Sequence, residues 1–306
     1  MGRSSLLFLL ILLGAAAPLR ELPLKEAQWI APGRDTVVLL TREPAECLKR
    51  TKDPVAAMSV EIGRAAFRNP LLLGGQAARV GLSCNSCHRS GRGNPDFVFP
   101  GLSGAPGTAD VTSSLMSSKR GDGIDNPRAI PDLSGPRERL KVKNGVDKFV
   151  HGLIVEEFDG IAPPPRVVAG LVDYVSGLSS GNCPAQQEVP ITLIARLEDV
   201  RRAVLAAEAA LFVGDPATAK VMLSSARSML GAIHERFADP ALGDQQEALQ
   251  RASAALAAIP VGNSEEGHKR IKVWLSGQRR WAGDLLRAET RTLFNPERLK
   301  AAAVSR

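Results

Sequence analysis

The sequence predicts an all-α protein in two parts, a helical domain gathered round the turn Cys84-Asn85-Ser86-Cys87-His88 and, after it, an antiparallel helical bundle. Three observations predict this. Apolar residues recur at helical spacing on both sides of the turn. Glycine and proline crowd the stretch 89–137 and then retreat to short turns beyond Pro184. No βαβ pattern is visible around the cysteines, as a thioredoxin-like site would require.

The 306 residues leave room for two modest cores. A formal charge of +7 favours an acidic partner or an anionic surface. No DNA or RNA recognition motif accompanies that charge, so it reads as a docking bias and not as nucleic-acid binding.

Residues 1–17 read as a signal peptide: Arg3 opens it, Leu6 to Leu13 form an apolar core, and Gly14 to Ala17 are small residues suited to cleavage. The apolar run is too short to span a bilayer. Pro18 disfavours cutting directly after Ala17. Cleavage one residue earlier and an uncleaved anchor both stay open, and membrane association is expected only in the second case.

An N-terminal extension, 18–55, is mixed in character and carries Cys47. Cys183 closes the helical domain of 56–184, in Gly181-Asn182-Cys183-Pro184. Two cysteines left over in an exported chain invite a disulfide between them, the alternative being two free thiols.

Within 56–184, Ile62, Ala65, Ala66 and Phe67 share one helix face until Asn69-Pro70 ends the run. Ala77, Val80 and Leu82 then lead to the cysteine turn. Cys84 and Cys87 fall on one turn of helix, where each thiol can add to a vinyl group of a porphyrin, and His88 follows as the proximal iron ligand. The reading is one covalently bound haem c. A zinc site would lack a fourth ligand, and a redox dithiol lacks its βαβ setting. A porphyrin filling the domain also accommodates an aromatic content of only 4%. Haem c is attached outside the bacterial inner membrane, which places the chain in the periplasm.

The stretch 89–137 holds eight glycines and six prolines. So long an irregular segment suits a compact domain when it wraps a cofactor. Met116 lies within it and is the candidate sixth iron ligand, against a vacant or water-bound site. His151, Met58 and Tyr174 read as structural. Arg89, Arg92, Arg120 and Arg128 are candidates to pair with the haem propionates. Two further helical runs follow, one marked by Val146, Phe149, Val150, Ile154 and Phe158, the other by Val167, Val168, Leu171, Val175 and Leu178.

The run Ile62-Gly63-Arg64-Ala65-Ala66-Phe67-Arg68-Asn69-Pro70-Leu71-Leu72, followed by Ser83-Cys84-Asn85-Ser86-Cys87-His88, resembles the bacterial di-haem cytochrome c peroxidase family and its methylamine-utilisation relatives. Arg128-Ala129-Ile130-Pro131-Asp132-Leu133 looks like that family's Arg-x-x-Pro-x-Leu segment, which approaches the haem. Leu171 to Leu178 resembles the last helix of class I cytochromes c, which packs across the first. The resemblance spans about residues 60–180 and implies a class I cytochrome c-like haem domain. One departure matters: those peroxidases relay electrons through a second haem, and here there is a single C-x-x-C-H. The function expected is therefore electron transfer by an exported monohaem cytochrome. A peroxidase-like enzyme with an open distal site, or a haem-bearing interaction or sensing protein, are the alternatives.

Residues 190–306 carry the bundle. Leu193, Leu197, Val200, Val204 and Leu211 form one stripe, and three later runs centre on Leu230, Leu256 and Trp274. No catalytic constellation lies on it; His234 and His268 are isolated, and Trp274 and Trp281 read as core. Arg279, Arg280, Arg287, Arg291 and Arg298 form a solvated face or, more sharply, a docking surface for an acidic redox partner.

Overall fold

A computed structural model describes residues 25–304, apart from 113–114, 120–122, 137–141, 143 and 185–186. The signal segment 1–17 and Arg120 lie outside the described residues. The fold is mostly helical, with two minimal antiparallel ladders among the described residues.

The extension forms α1 (Thr36–Thr41), capped by Asp35, and β1 (Arg42–Pro44). Next comes α2 (Pro54–Phe67), begun by an Asp53 side chain that accepts from the Val55 N–H and by Pro54 at the first helical position. This start lies eight residues before Ile62, the first apolar position of the face read from sequence, because a cap and not a buried face sets it. Short helices α3 (Pro70–Leu73), α4 (Gly75–Arg79) and α5 (Cys84–Cys87) follow. The irregular stretch is stitched by β2 (Thr108–Ala109) against β3 (Arg128–Ala129). It ends at α6 (Val146–Gly152), which runs on as a π-helical turn to Glu157, and α7 (Pro165–Gly177).

Helix α7 packs across α2, as the last helix was expected to pack on the first. The crossing is backbone on backbone: a Cβ added at Gly63 would fall 1.8 Å from the Gly170 carbonyl oxygen. Any side chain at Gly63 would force the two helices apart.

Strand β4 (Glu188–Pro190) leads into the bundle, α8 (Leu193–Phe212), α9 (Pro216–Arg236), α10 (Gly243–Ala257) and α11 (Ser264–Ala288), with α12 (Pro296–Val304) closing the chain. Helix α8 packs on α9, α9 on α10, and α11 on both α8 and α10. The stripe read from sequence is the packed face, since Leu193, Leu197, Val200, Val204 and Leu211 are all buried. Among the described residues, no helix is long and apolar enough to cross a membrane.

The bundle rests on the rest of the chain through a shared core. Helix α2 touches α8 and α9, and buried apolar residues of both parts form one cluster. Strand β1 pairs with β4, Glu43 opposite Val189, so the extension also bridges to the bundle.

Cys47 and Cys183 are joined as a disulfide over a sequence separation of 136. Closing so long a loop restricts the unfolded chain, by up to about 5 kcal/mol in the chain-entropy account. Replacing both cysteines by alanine is expected to lower the unfolding free energy by about 2 to 5 kcal/mol in urea titration. An unchanged midpoint and slope would show that the bridge adds nothing.

Candidate cofactor site

Helix α5 is a single turn held from three sides. The Ser83 N–H donates to Ser86 Oγ at 3.0 Å, and the Asn94 side chain donates to the Ser86 carbonyl at 2.8 Å. Asn85 Oδ1 accepts from the Ser90 N–H at 2.9 Å, where Ser90 takes a left-handed φ of 54°. From the extension, the Glu26 carboxylate accepts from Ser83 Oγ at 2.9 Å, Asn85 Nδ2 at 3.0 Å and Ser86 Oγ at 3.3 Å. Burial raises the Glu26 pKa against the pull of the Asn85 and Ser83 hydrogen bonds.

The two residues between the cysteines are thus buried and committed to the turn. Cys84 and Cys87 are unbridged, half-buried and packed against the apolar core. Burial pushes both thiols up to about 12, so they are neutral near pH 7. That is the opposite of a redox dithiol, whose attacking sulfur needs a lowered pKa. A structural zinc site needs four ligands, and among the described residues no three His, Cys, Asp or Glu side chains converge as metal ligands. Addition of S–H across a vinyl group, by contrast, leaves the sulfur uncharged at the end and suits an apolar wall.

His88 follows as the helix ends. Its Nδ1 lies 3.0 Å from the Pro131 carbonyl oxygen. A carbonyl only accepts, so Nδ1 carries the proton and Nε2 keeps its lone pair for a metal. Burial pushes the His88 pKa down to about 4, with the Pro131 bond opposing, and the ring is neutral near pH 7, the ligating form. Pro131 is itself anchored. Ile130 N–H donates to Gly107, and Asp132 accepts from Arg92 Nε at 2.8 Å and from Ser134 Oγ at 2.7 Å. The segment Arg128 to Leu133 thus brings its Pro131 carbonyl to His88.

The Phe67 ring lies 6.5 Å from His88 and 5.1 Å from Tyr174, centroid to centroid. Tyr174 is buried, with its hydroxyl donating to Glu46 Oε1 at 2.7 Å. Met116 is 1% exposed, inside the core against which Cys84 and Cys87 pack. Its loop is tied to the π-helical turn, where Ser117 Oγ donates to the Glu156 carbonyl and Lys119 Nζ to that of Val155. His151 is exposed and Met58 half-buried. Of the arginines singled out, Arg89 donates to the carbonyls of Leu39 and Arg42, Arg92 is taken by Asp132, and Arg128 is exposed.

A network absent from the sequence reading lies behind the site. Glu46 accepts from Arg64 Nε at 2.8 Å, Arg68 Nη2 at 2.7 Å and Tyr174. Asp199 of α8 accepts from Arg64 Nη1 at 2.7 Å and from Arg196, whose other arm reaches Glu43 at 2.7 Å. Burial disfavours both carboxylates as ions, but the guanidinium groups outweigh it, holding Glu46 down at about 2 and Asp199 well below the usual carboxylate range. The extension, α2, α7 and α8 are joined at this one point.

In the bundle, Trp274 Nε1 donates to the Ala252 carbonyl at 3.0 Å and its ring meets Trp281 edge-on at 5.7 Å, both core roles. His234 lies by Gln250 and His268 by Glu208. Arg279, Arg280, Arg287, Arg291 and Arg298 are all exposed.

No family model, curated protein or solved structure matches this chain, so its function is argued from its own residues.

Proposed function

We propose that this chain is an exported monohaem c-type cytochrome that transfers electrons. Its domain 56–184 would be class I cytochrome c-like, with one haem c held through thioethers at Cys84 and Cys87, His88 on the iron and Met116 as sixth ligand. The observation that carries the reading is the Nδ1 contact of His88 with Pro131 at 3.0 Å, beside two neutral thiols on one helical turn. Bound haem supplies an iron that takes up and returns one electron.

The chain's own residues hold that centre in place. Cys84 and Cys87 tie the ring to α5, and Glu26, Asn85 and Asn94 fix the turn that presents them. Pro131 orients the imidazole and, by accepting a hydrogen bond from Nδ1–H, raises the donor strength of Nε2. Phe67 lies to one side of His88. Met116, buried in the apolar core, is the thioether proposed for the sixth position. The Cys47–Cys183 disulfide supports the periplasm as the working compartment. The charge of +7 and the exposed arginines of the bundle suit an acidic redox partner.

Absorption spectra in both redox states test this reading. A low-spin spectrum is expected, with a red-region methionine-to-iron charge-transfer band that Met116→Ala removes. A high-spin spectrum with rapid peroxide turnover would overturn it in favour of the peroxidase-like enzyme.

A further inference from the structure

We propose that the cleft between the N-terminal extension and the bundle binds an organic anion, its carboxylate or phosphate head held by Arg89 and Arg236 and its apolar body lying along α9. The cleft encloses about 800 Å3, a size usual for small-molecule sites. One wall is the chain from Lys25 to Leu40, another is Asn85 and Arg89 beside the cysteine turn, and the third is the bundle. Leu39, Ile191, Met229, Ile233 and Leu299 make part of it apolar.

The charges facing this space do not balance. Arg34 is paired with Asp96, Arg68 with Glu46, Arg196 with Glu43 and Asp199, and Lys25 with Glu235. The remaining acid, Glu26, is occupied by Ser83, Asn85 and Ser86. Arg89 and Arg236 are left over, and among the described residues neither makes an ion pair. Both are half-buried, and among the described residues their hydrogen bonds go to main-chain carbonyls. Arg89 Nη2 donates to Leu39 and Arg42, while Arg236 donates to Leu293 at 3.1 Å and to Leu40 at 2.6 Å, with its guanidinium 4.7 Å from the Phe294 ring centroid. Leu39 and Leu40 are neighbours, so one stretch of α1 fixes both cations at the same end of the cleft.

A guanidinium has five N–H donors, and carbonyls neutralise none of its charge. Two such groups drawn out of bulk water are unfavourable until an anion joins them. The apolar wall beside them selects an anion with a hydrocarbon body over a bare inorganic one.

Calorimetric titration of the full chain with decanoate and with decyl phosphate tests the proposal, with decanol and inorganic phosphate as controls. One saturable site is expected for at least one of the two amphiphiles, and the tighter of them identifies the head. Decanol and inorganic phosphate should each bind at least tenfold more weakly. Arg236→Gln should weaken the preferred amphiphile at least tenfold. Because Arg236 also holds the Leu40 carbonyl, Met229→Trp provides a second variant that fills the apolar side and leaves every charge in place; it should abolish binding. No binding of either amphiphile, equal binding of decanol or of inorganic phosphate, or wild-type affinity in Met229→Trp would overturn the proposal.

Discussion

Replacing Cys84 and Cys87 together by alanine, in a host that matures c-type cytochromes, is expected to yield a colourless protein with no covalently attached group. The effect should be all or none, because no other unbridged cysteine exists: Cys47 and Cys183 are used by the disulfide. The folded scaffold should survive. Asn85, Ser86 and Glu26 hold the turn without the sulfurs, and circular dichroism should still report a helical protein. Haem retained through a denaturing gel in the double variant would remove the thioether assignment.

Glu46→Ala is expected to destabilise the chain by about 3 to 5 kcal/mol in urea titration, the usual consequence of stripping one partner from a buried ion pair. The change leaves Arg68 without its carboxylate, Arg64 with Asp199 alone, and the Tyr174 hydroxyl without its acceptor. These groups lie where the extension, α2 and α7 meet, and Arg64 carries the connection on to Asp199 of the bundle. A loss under 1 kcal/mol would mean that water replaces the carboxylate and that the junction is not dry. The same network sets an acid limit. Glu46 is held at about 2 against an ordinary 4.5, so its contribution is complete above about pH 4.5 and is lost as pH falls through 2. Asp199, also lowered, acts in the same direction. Glu46→Gln should flatten the fall in stability over that window.

Much of the helical architecture was legible because burial repeats along a helix at a fixed interval. Leu193, Leu197, Val200 and Val204 could be assigned to one face with no knowledge of their partners. The cysteine turn was legible for another reason, since three reactive side chains stand within five residues. Helix α12 escaped because it is short and alanine-rich, with no apolar stripe to mark it. The β1–β4 ladder escaped because Arg42-Glu43-Pro44 shows no alternation and its partner is far along the chain. The buried acids were the hardest to see. In sequence, Glu26, Glu46 and Asp199 look like any solvated carboxylate, and the Glu46–Tyr174 and Arg64–Asp199 pairs are separated by 128 and 135 residues. One faint signal existed: Asp199 sits between Leu197 and Val200 at the margin of the α8 stripe, where an acid calls for a buried cation. Arg89 shows the converse. One of four arginines offered in sequence as a propionate partner, it has a guanidinium that donates to the carbonyls of Leu39 and Arg42, a placement no local pattern announces.

The most direct test is the intact mass of the exported protein, matured in a host able to attach haem c and measured after unfolding and reduction. The account predicts the polypeptide mass plus one haem, with the label recovered on the peptide that contains Cys84 and Cys87. A mass equal to the polypeptide alone, with both thiols free to alkylate, would contradict it.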